Sequence, residues 1–573
     1  MTKTRDLADL GGGFIQAGTG AVQRTVESKL QDVVSVLDFI PASIDTATTD
    51  CSPYFQAAID ANRAIYIPYG VYRIDSTIVL SQPYSAIVGD NRLPIIRYYD
   101  PGNGPAIKVT AVPAGPFNQH SRVENLIVEA RDSVTGDYWL PTFSSVPNLN
   151  QAGVAFEATA YGFNAVQRCT ARNLRIFNFS VGFWNYNTVD QRIDDIRVQM
   201  AAAIPDTGYT VANKCIGYYF DGTPGGGFSP NASVEVTNCT FGMGGCPQIS
   251  TRIGLYAFGP DLRDIWVRDC VFSQGDYGVW FESTASDKNI DIHLNRIITD
   301  QNDVSGIFLK NLSGNGAVSI VSGYTVLSPI AVGGAALKIE GCKGVSVTGG
   351  FQALGIANNT TNDKGIWVKD STNVTVESAL IKNCINGFVI DNSNYCSFTA
   401  NAIYADTTFE TAPTLNNGIQ LLNGSSYNTI VGNSISGASP TYQYNSGIVI
   451  ASGCPRNIIS SNQFDYTTVI IPTAVSDNTT TLIGTVSSAG KLTLTGPTEG
   501  VEIIAGTQSQ MTITDQNWLM RDMAEDGTAT NCIYLRNGIV PATNPSLGGA
   551  LYAQGGQLRY IGSSGTVTII APA

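Results

Sequence analysis

Histidine is almost missing from this chain: His120 and His293 are the only two in 573 residues. That scarcity excludes a histidine-built metal centre and disfavours a Ser-His-Asp triad. His293 stands on an alternating strand and reads as structural. Charge is also scarce, at 14% of the chain, and the net charge is −13. A general affinity for nucleic acid or an anionic membrane is therefore not expected. No apolar run approaches the ~18 residues of a spanning helix, so no membrane insertion is expected. Met1-Thr2-Lys3-Thr4-Arg5-Asp6-Leu7 lacks the apolar stretch of a signal peptide, which points to synthesis in a cytoplasm. The eleven cysteines contain no C-x-x-C pair and their number is odd. They read as buried reduced thiols, with Cys239 and Cys270 at matching positions. No metal or cofactor is expected.

What the chain has in abundance is a repeat. A glycine followed by an alternating apolar strand recurs at Gly153, Gly182, Gly217, Gly254, Gly278, Gly306, Gly334, Gly365, Gly387, Gly418 and Gly447. The spacing runs from 22 residues (Gly365 to Gly387) to 37 (Gly217 to Gly254). A strand recurring at about 29 residues means a solenoid of stacked rungs. No helical periodicity separates the strands, so the rungs are all-β. Second strands such as Ser233–Asn238, Asn289–His293 and Asn428–Asn433 alternate apolar residues with Ser, Thr and Asn. Asparagines recur at strand ends, where their side chains hydrogen-bond the backbone of tight turns. The fold class read from this is all-β: a right-handed parallel β-helix with a short N-terminal helical segment and small C-terminal antiparallel β modules.

Four regions follow. Residues 1–40 read as an attachment and collar segment, with helical spacing over 25–34. Residues 41–115 read as the head and cap of the solenoid. There Ser52 is expected as N-cap, Pro53 as first helical residue and the helix as a plug for the open core. Residues 116–466 carry the rungs. Residues 467–573 lose the rhythm and read as C-terminal β modules for trimerisation or carbohydrate binding, with hairpins over 483–495 and 551–570.

With each glycine as position zero, position one is apolar and faces in, so position two faces out. Position two then reads Ala155, Trp184, Tyr219, Tyr256, Trp280, Phe308, Ala336, Trp367, Val389, Gln420 and Val449. Five consecutive aromatics make a stripe suited to the flat faces of a sugar chain, or to a neighbouring subunit. Position four places Lys310, Lys338 and Lys369 on consecutive rungs, beside Glu282, Glu340 and Asp370. This ladder reads either as structural ion pairing or as a site for an acidic polysaccharide.

Several stretches carry a family resemblance. Gly20-Ala21-Val22-Gln23-Arg24-Thr25-Val26-Glu27-Ser28-Lys29-Leu30 and Val34-Ser35-Val36-Leu37-Asp38-Phe39 resemble the entry motif of bacteriophage tailspike capsule depolymerases. Phe55-Gln56-Ala57-Ala58-Ile59-Asp60 and Ile67-Pro68-Tyr69-Gly70-Val71-Tyr72 resemble their pectate-lyase-like head, and the Gly/Ser/Thr ending at 562–573 is similar to theirs. The large virion-anchoring domain of many spikes is not among these pieces. The resemblance implies a homotrimer on the virion tail of a phage of encapsulated enterobacteria such as Klebsiella. It implies docking to a tail adaptor or another tailspike through the N-terminus, and a bacterial capsular polysaccharide as partner.

Such a spike works as a glycoside hydrolase, a polysaccharide lyase or a non-enzymatic receptor-binding fibre. Hydrolysis needs two carboxyl groups, roughly 5–5.5 Å apart for retention or 6.5–9.5 Å for inversion. Aligned residues on adjacent rungs lie about 4.8 Å apart. Asp276 and Asp303 fall at the same sheet edge of neighbouring rungs, with Asp300 close by, and form the first candidate catalytic pair. Glu282 with Asp221 or Asp264 forms the second. Trp184, Tyr219, Tyr256, Trp280, Phe308, Trp367, Lys310 and Lys338 are the accompanying candidate substrate contacts. A lyase would instead use a base such as Tyr277 or His293 with the lysines. Turn aspartates that merely cap backbone amides are the competing reading for each carboxylate.

Overall fold

The computed structural model describes residues 34–464 apart from 112–117, 142, 159–165, 201–209, 224–231, 261, 286–289, 314–317, 329–333, 356–362, 407–414, 438–443 and 452. It also describes 549–571 apart from 563, and short strands at 13–14, 24–25, 468–471, 481–483, 492–494, 511–513 and 518–520. The helical reading of 25–34 falls largely outside these residues.

The chain winds as a parallel β-helix. A parallel sheet of 15 strands runs from Ile78–Leu80 to Leu492–Leu494, and a 28-stranded assembly makes the other two faces. The two faces join because single strands turn the corner. Arg122–Ala130 pairs through Arg122, Val123 and Glu124 with Ala86–Gly89 and through its second half with Ile95–Tyr98. One residue at that corner takes the left-handed conformation, and the position recurs rung after rung: Asn125, Asn173, Asp195, Asn238 and Asp269. Asn and Asp tolerate this conformation better than other side chains. The asparagines noted in the sequence thus mark the corners.

Inside, position one of every rung aligns: Val154, Phe183, Tyr218, Leu255, Val279, Ile307 and onward to Ile448. All are buried in one continuous core. The rung glycines are required by crowding. A Cβ on Gly217 would lie 2.6 Å from the Gly254 carbonyl oxygen of the next rung and 2.7 Å from the Phe241 ring. Further along, buried asparagines stack. The Asn401 N–H donates to Asn433 Oδ1 (3.0 Å) and the Asn433 N–H to Asn462 Oδ1 (2.9 Å). Asn433 Nδ2 also reaches the Phe398 carbonyl (2.9 Å).

The helix spans Ser52–Asn62 and buries Phe55, Ala58 and Ile59 against the first rungs, with Phe55 edge-on to Tyr72 at 5.6 Å. Its N-cap is Cys51, one residue before the expected Ser52. The Ser52 hydroxyl instead accepts from the backbone N–H groups of Asp75 (2.9 Å) and Ser76 (3.0 Å), tying the helix to the strand beside it.

Three expectations change. Parallel pairing begins at Ala64–Ile67 and continues past 466, since Thr481–Ile483 pairs in parallel with Ile458–Ser460 and Leu492–Leu494 with Thr468–Ile471. The described strands at 481–483 and 492–494 thus continue the parallel stacking and do not pair with each other as a hairpin; the residues between them lie outside the described residues. The C-terminal hairpins do occur at Gly549–Gln554, Gln557–Gly562 and Val567–Ala571, as an antiparallel three-stranded sheet. Finally, Cys215 and Cys246 form a disulfide, while eight others, including Cys239 and Cys270, are free and buried; Cys532 lies outside the described residues.

Candidate functional site

The outer surface of the 15-stranded sheet gathers most of the singled-out residues. Position two runs Ala155, Trp184, Tyr219, Tyr256, Trp280, Phe308 on consecutive rungs. These rings face out from the sheet yet are not an open platform. Trp184, Tyr219, Tyr256 and Phe308 are only 4–6% exposed within this one chain. They pack on each other, with Trp184 edge-on to Tyr219 (4.6 Å), Tyr219 stacked on Tyr256 (5.5 Å) and Trp280 tilted against Tyr256 (5.0 Å). Val181, Ile216 and Ile253 join them in a second apolar cluster distinct from the core. The segment around Ser144 and Ser145 runs alongside: Lys214 Nζ donates to the Ser145 carbonyl (2.6 Å) and lies 5.8 Å from the Tyr256 ring centre. Trp280 and Trp367 keep partial exposure.

The lysine ladder requires a correction. Gly334 precedes the strand Ala335–Glu340, and Ala336 occupies the rung-glycine position, because Ile307 pairs with Leu337 and Phe308 with Lys338. Lys338 therefore belongs to position two, between Phe308 and Trp367, with its Nζ 4.6 and 4.7 Å from their ring centres. Position four reads Glu282, Lys310, Glu340, Lys369, Asp391, with signs alternating along all five. The ion pairs follow: Lys310 with Glu282 at 2.8 Å, Lys338 with Glu340 at 2.5 Å and Lys369 with Glu340 at 3.9 Å. Among the described residues, Lys310, Lys338 and Lys369 form no uncompensated column.

Two carboxylate groupings emerge. Asp276 and Asp303 do meet, but on a third residue that the sequence reading missed. Arg252 is only 3% exposed in its side chain. Its Nη2 lies 3.0 Å from Asp276 Oδ1 and also binds Asp303. Asp276 Oδ2 accepts the Arg252 backbone N–H (2.7 Å), and the Asp303 N–H donates to the Gly275 carbonyl (2.9 Å). Burial raises the Asp276 carboxyl above its ordinary range, against the lowering effect of Arg252. A signal for Arg252 existed: it lies two residues before Gly254, as Asp276 lies two before Gly278. Asp300 sits on Ile298–Asn302, the preceding face, paired with Ser273.

The second grouping lies on position four. Asp221 aligns with Phe258 and Phe258 with Glu282, so the two carboxylates stand two rungs apart, about 9.6 Å at the backbone. Burial raises the Asp221 carboxyl, opposed by hydrogen bonds from the Thr223 hydroxyl and its backbone N–H (3.0 Å). Glu282 is ion-paired with Lys310. The Tyr256 phenol is pushed up first by burial, then by the charges of Glu282 and Asp221. Burial lowers Lys214, with Glu282 opposing the shift. Burial, then Asp276, push Tyr277 up to about 12.

Asp264 does not join this group. It is a left-handed corner residue on Leu262–Arg268, in the 28-stranded assembly, accepting from the Ser233 hydroxyl at 3.4 Å. His293 belongs to that assembly too. Among the described residues no group of His, Cys, Asp and Glu is arranged to hold a metal ion.

No curated protein sequence matches the chain. A family profile described as "Periplasmic copper-binding protein (NosD)" matches residues 333–487. That stretch contains no histidine, and its four cysteines are buried, so the match follows the solenoid repeat rather than a metal site. Among solved structures, a mutant tailspike protein of E. coli bacteriophage HK620 in complex with a pentasaccharide is 15% identical, with 83% of each chain covered and a TM-score of 0.54. The pre-mature gene product 12 of bacteriophage phi29 is 12% identical, over 78% of this chain and 58% of that one, with a TM-score of 0.52. Tailspike protein 3 of bacteriophage CBA120 is 16% identical over 99% of this chain and 74% of that one, with a TM-score of 0.47. The chain thus has the parallel β-helix fold seen in bacteriophage tailspike proteins.

Proposed function

We propose that this protein is a phage tailspike that binds and depolymerises a bacterial capsular polysaccharide by endo-glycosidic hydrolysis. One observation carries the reading: Asp221 and Glu282 stand two rungs apart on one outward column, beside Tyr219, Tyr256 and Trp280. Carboxyl groups separated by roughly 6.5–9.5 Å leave room for a water and suit inversion. Asp221, raised by burial, acts as the acid that protonates the leaving glycosidic oxygen. Glu282, oriented by Lys310, takes the proton of the attacking water. Trp280 and, beyond it, Trp367 offer ring faces to neighbouring sugars. Asp276 and Asp303 serve as the buried anchors of Arg252 rather than as the reacting pair. The HK620 structure with a bound pentasaccharide supports a saccharide as ligand for this fold. The assembly is a homotrimer attached to the virion tail through residues 1–40.

The test is mass spectrometry of products after incubation with a panel of acidic capsular polysaccharides. Products carrying an added water, lost on Asp221→Asn or Glu282→Gln, support hydrolysis. Products with a new double bond indicate a lyase and move the chemistry to Tyr277 and the lysines. Cleavage that survives both substitutions overturns the assignment of the pair.

A further inference from the structure

The flank of the solenoid carries a feature that the Asp221–Glu282 column does not explain. Trp266 is 48% exposed, the one exposed tryptophan among the residues whose side chains are described. Its indole stacks on the His293 ring of the next rung, at 3.8 Å and 21°. His293 is fixed through both nitrogens: Nε2 lies 2.9 Å from Asp291 Oδ1, and Nδ1 lies 2.8 Å from the Ser319 hydroxyl. One indole face is thus held by a locked ring. Trp266 also lines a concavity of about 400 Å³ walled by Asp190, Arg192, Ser233 and Glu235. The walls are braced as well. Arg192 Nε lies 3.2 Å from Glu235, which also binds Arg268, and Asp190 lies 3.5 Å from Arg168.

We infer that this concavity is a second saccharide-binding site, separate from the Asp221–Glu282 column, that takes a neutral pyranose unit on the exposed face of Trp266. The inference rests on the reading of the chain as a saccharide-engaging spike. An exposed flat apolar ring beside a few fixed polar groups is the composition of a sugar site, and the volume lies in the usual range for ligand pockets. Ring-face contact accounts for the apolar side of the sugar. Carboxylate and guanidinium groups held by ion pairs meet its hydroxyls. The wall carries both signs, so it has no excess positive charge to select an acidic sugar. The same charges argue against a second copy of the chain seated here, because interface centres are depleted of charged residues. A flank site would hold the polymer on the spike between cleavage events at the Asp221–Glu282 column.

The test uses the full-length protein carrying Glu282→Gln, so that turnover does not consume the probe. Immobilised neutral oligosaccharides of glucose, galactose and mannose are the probes, read by biolayer interferometry. The Glu282→Gln protein is expected to bind at least one probe. Adding Trp266→Ala is expected to weaken that binding tenfold or more, and Trp266→Phe to weaken it less. Trp266→Ala alone should leave the initial rate of depolymerisation in solution unchanged. No binding across the probes, or binding indifferent to Trp266→Ala, overturns the inference. A change of molecular mass by light scattering on Trp266→Ala also overturns it, in favour of a second copy at this face. Trp266-dependent binding without any polymer cleavage would retain the inference and refute the hydrolase; the reverse outcome would do the opposite.

Discussion

Replacing Arg252 by methionine keeps most of the side-chain volume and removes the charge that Asp276 and Asp303 share. The two carboxylates are 15% and 18% exposed, and Arg252 3%, so solvent replaces little of what is lost. Breaking a buried pair by deleting one partner costs about 3–5 kcal/mol. At 1.4 kcal/mol per factor of ten, that is a rise of about 10²- to 10³-fold or more in local opening. Global unfolding is a poor readout for a solenoid whose rungs are stabilised chiefly by their neighbours. Hydrogen exchange of amides bonded into this corner is the direct one. The Arg252 N–H donates to Asp276, the Asp303 N–H to the Gly275 carbonyl, and the Val304 and Ser305 N–H groups to the Asp276 carbonyl at 2.9 Å. All four should lose protection together in Arg252→Met, while amides several rungs away keep theirs. The effect is also pH-dependent. A carboxyl whose folded pKa is raised stabilises the fold below its unfolded pKa and loses that contribution as pH rises through the folded value. Asp276 is already raised by burial and rises further without Arg252. The variant should therefore be weakest at neutral pH and regain protection as pH falls towards and below the raised value. Adding Asp276→Asn and Asp303→Asn should restore much of the loss at pH 7. Protection unchanged within threefold at pH 7, with activity abolished, would refute the structural role and return these aspartates to the chemistry.

Asp221→Asn and Glu282→Gln should each lower kcat by about 10²-fold or more while leaving the melting temperature near that of the parent, as fits removal of one partner in acid–base catalysis; steady-state rates on soluble polymer check this. Gly217→Ala places a methyl against the Gly254 carbonyl and the Phe241 ring, and overpacking of this kind costs about 1–3 kcal/mol, visible as faster hydrogen exchange at the amides of that rung and its neighbours. Asn433→Ala removes the side-chain acceptor of the buried Asn401 N–H, at about 1–3 kcal/mol for the unsatisfied group, together with a second donor to the Phe398 carbonyl, and exchange at the Asn401 amide should report it.

The repeat was legible because its glycines are imposed by geometry. Each lies where the next rung's carbonyl and a core side chain leave no room for a Cβ, so the chain must show glycine at nearly every turn. The exception misled for the same reason. At the seventh rung Ala336 stands at that position and Gly334 lies two residues earlier, against the Val304 carbonyl. A counted glycine there shifts the outward columns by two residues and turns an alternating Lys310, Glu340, Lys369 column into an apparent ladder of lysines. Only backbone pairing separates the two readings.

The outward direction of the aromatics was also legible, since strand alternation fixes it. Their burial was not, because it depends on ring-to-ring contact between rungs and on neighbours such as Leu149 packed against the same cluster. The same limit applied to the carboxylates. Offset from the rung glycine brings Asp276 and Asp303 to one edge, but it brings Arg252 there too. The shared buried guanidinium is why we propose the two aspartates as an anchor for the corner. Asp221 and Glu282 sit in unlike surroundings. One is desolvated and bonded to Thr223, the other paired to Lys310, and the aromatic Phe258 stands between them on their own column. Two carboxyl groups kept in unlike environments are what acid–base division of labour requires. These unlike environments are why we propose the Asp221–Glu282 column for the chemistry, although spacing alone ranks it second.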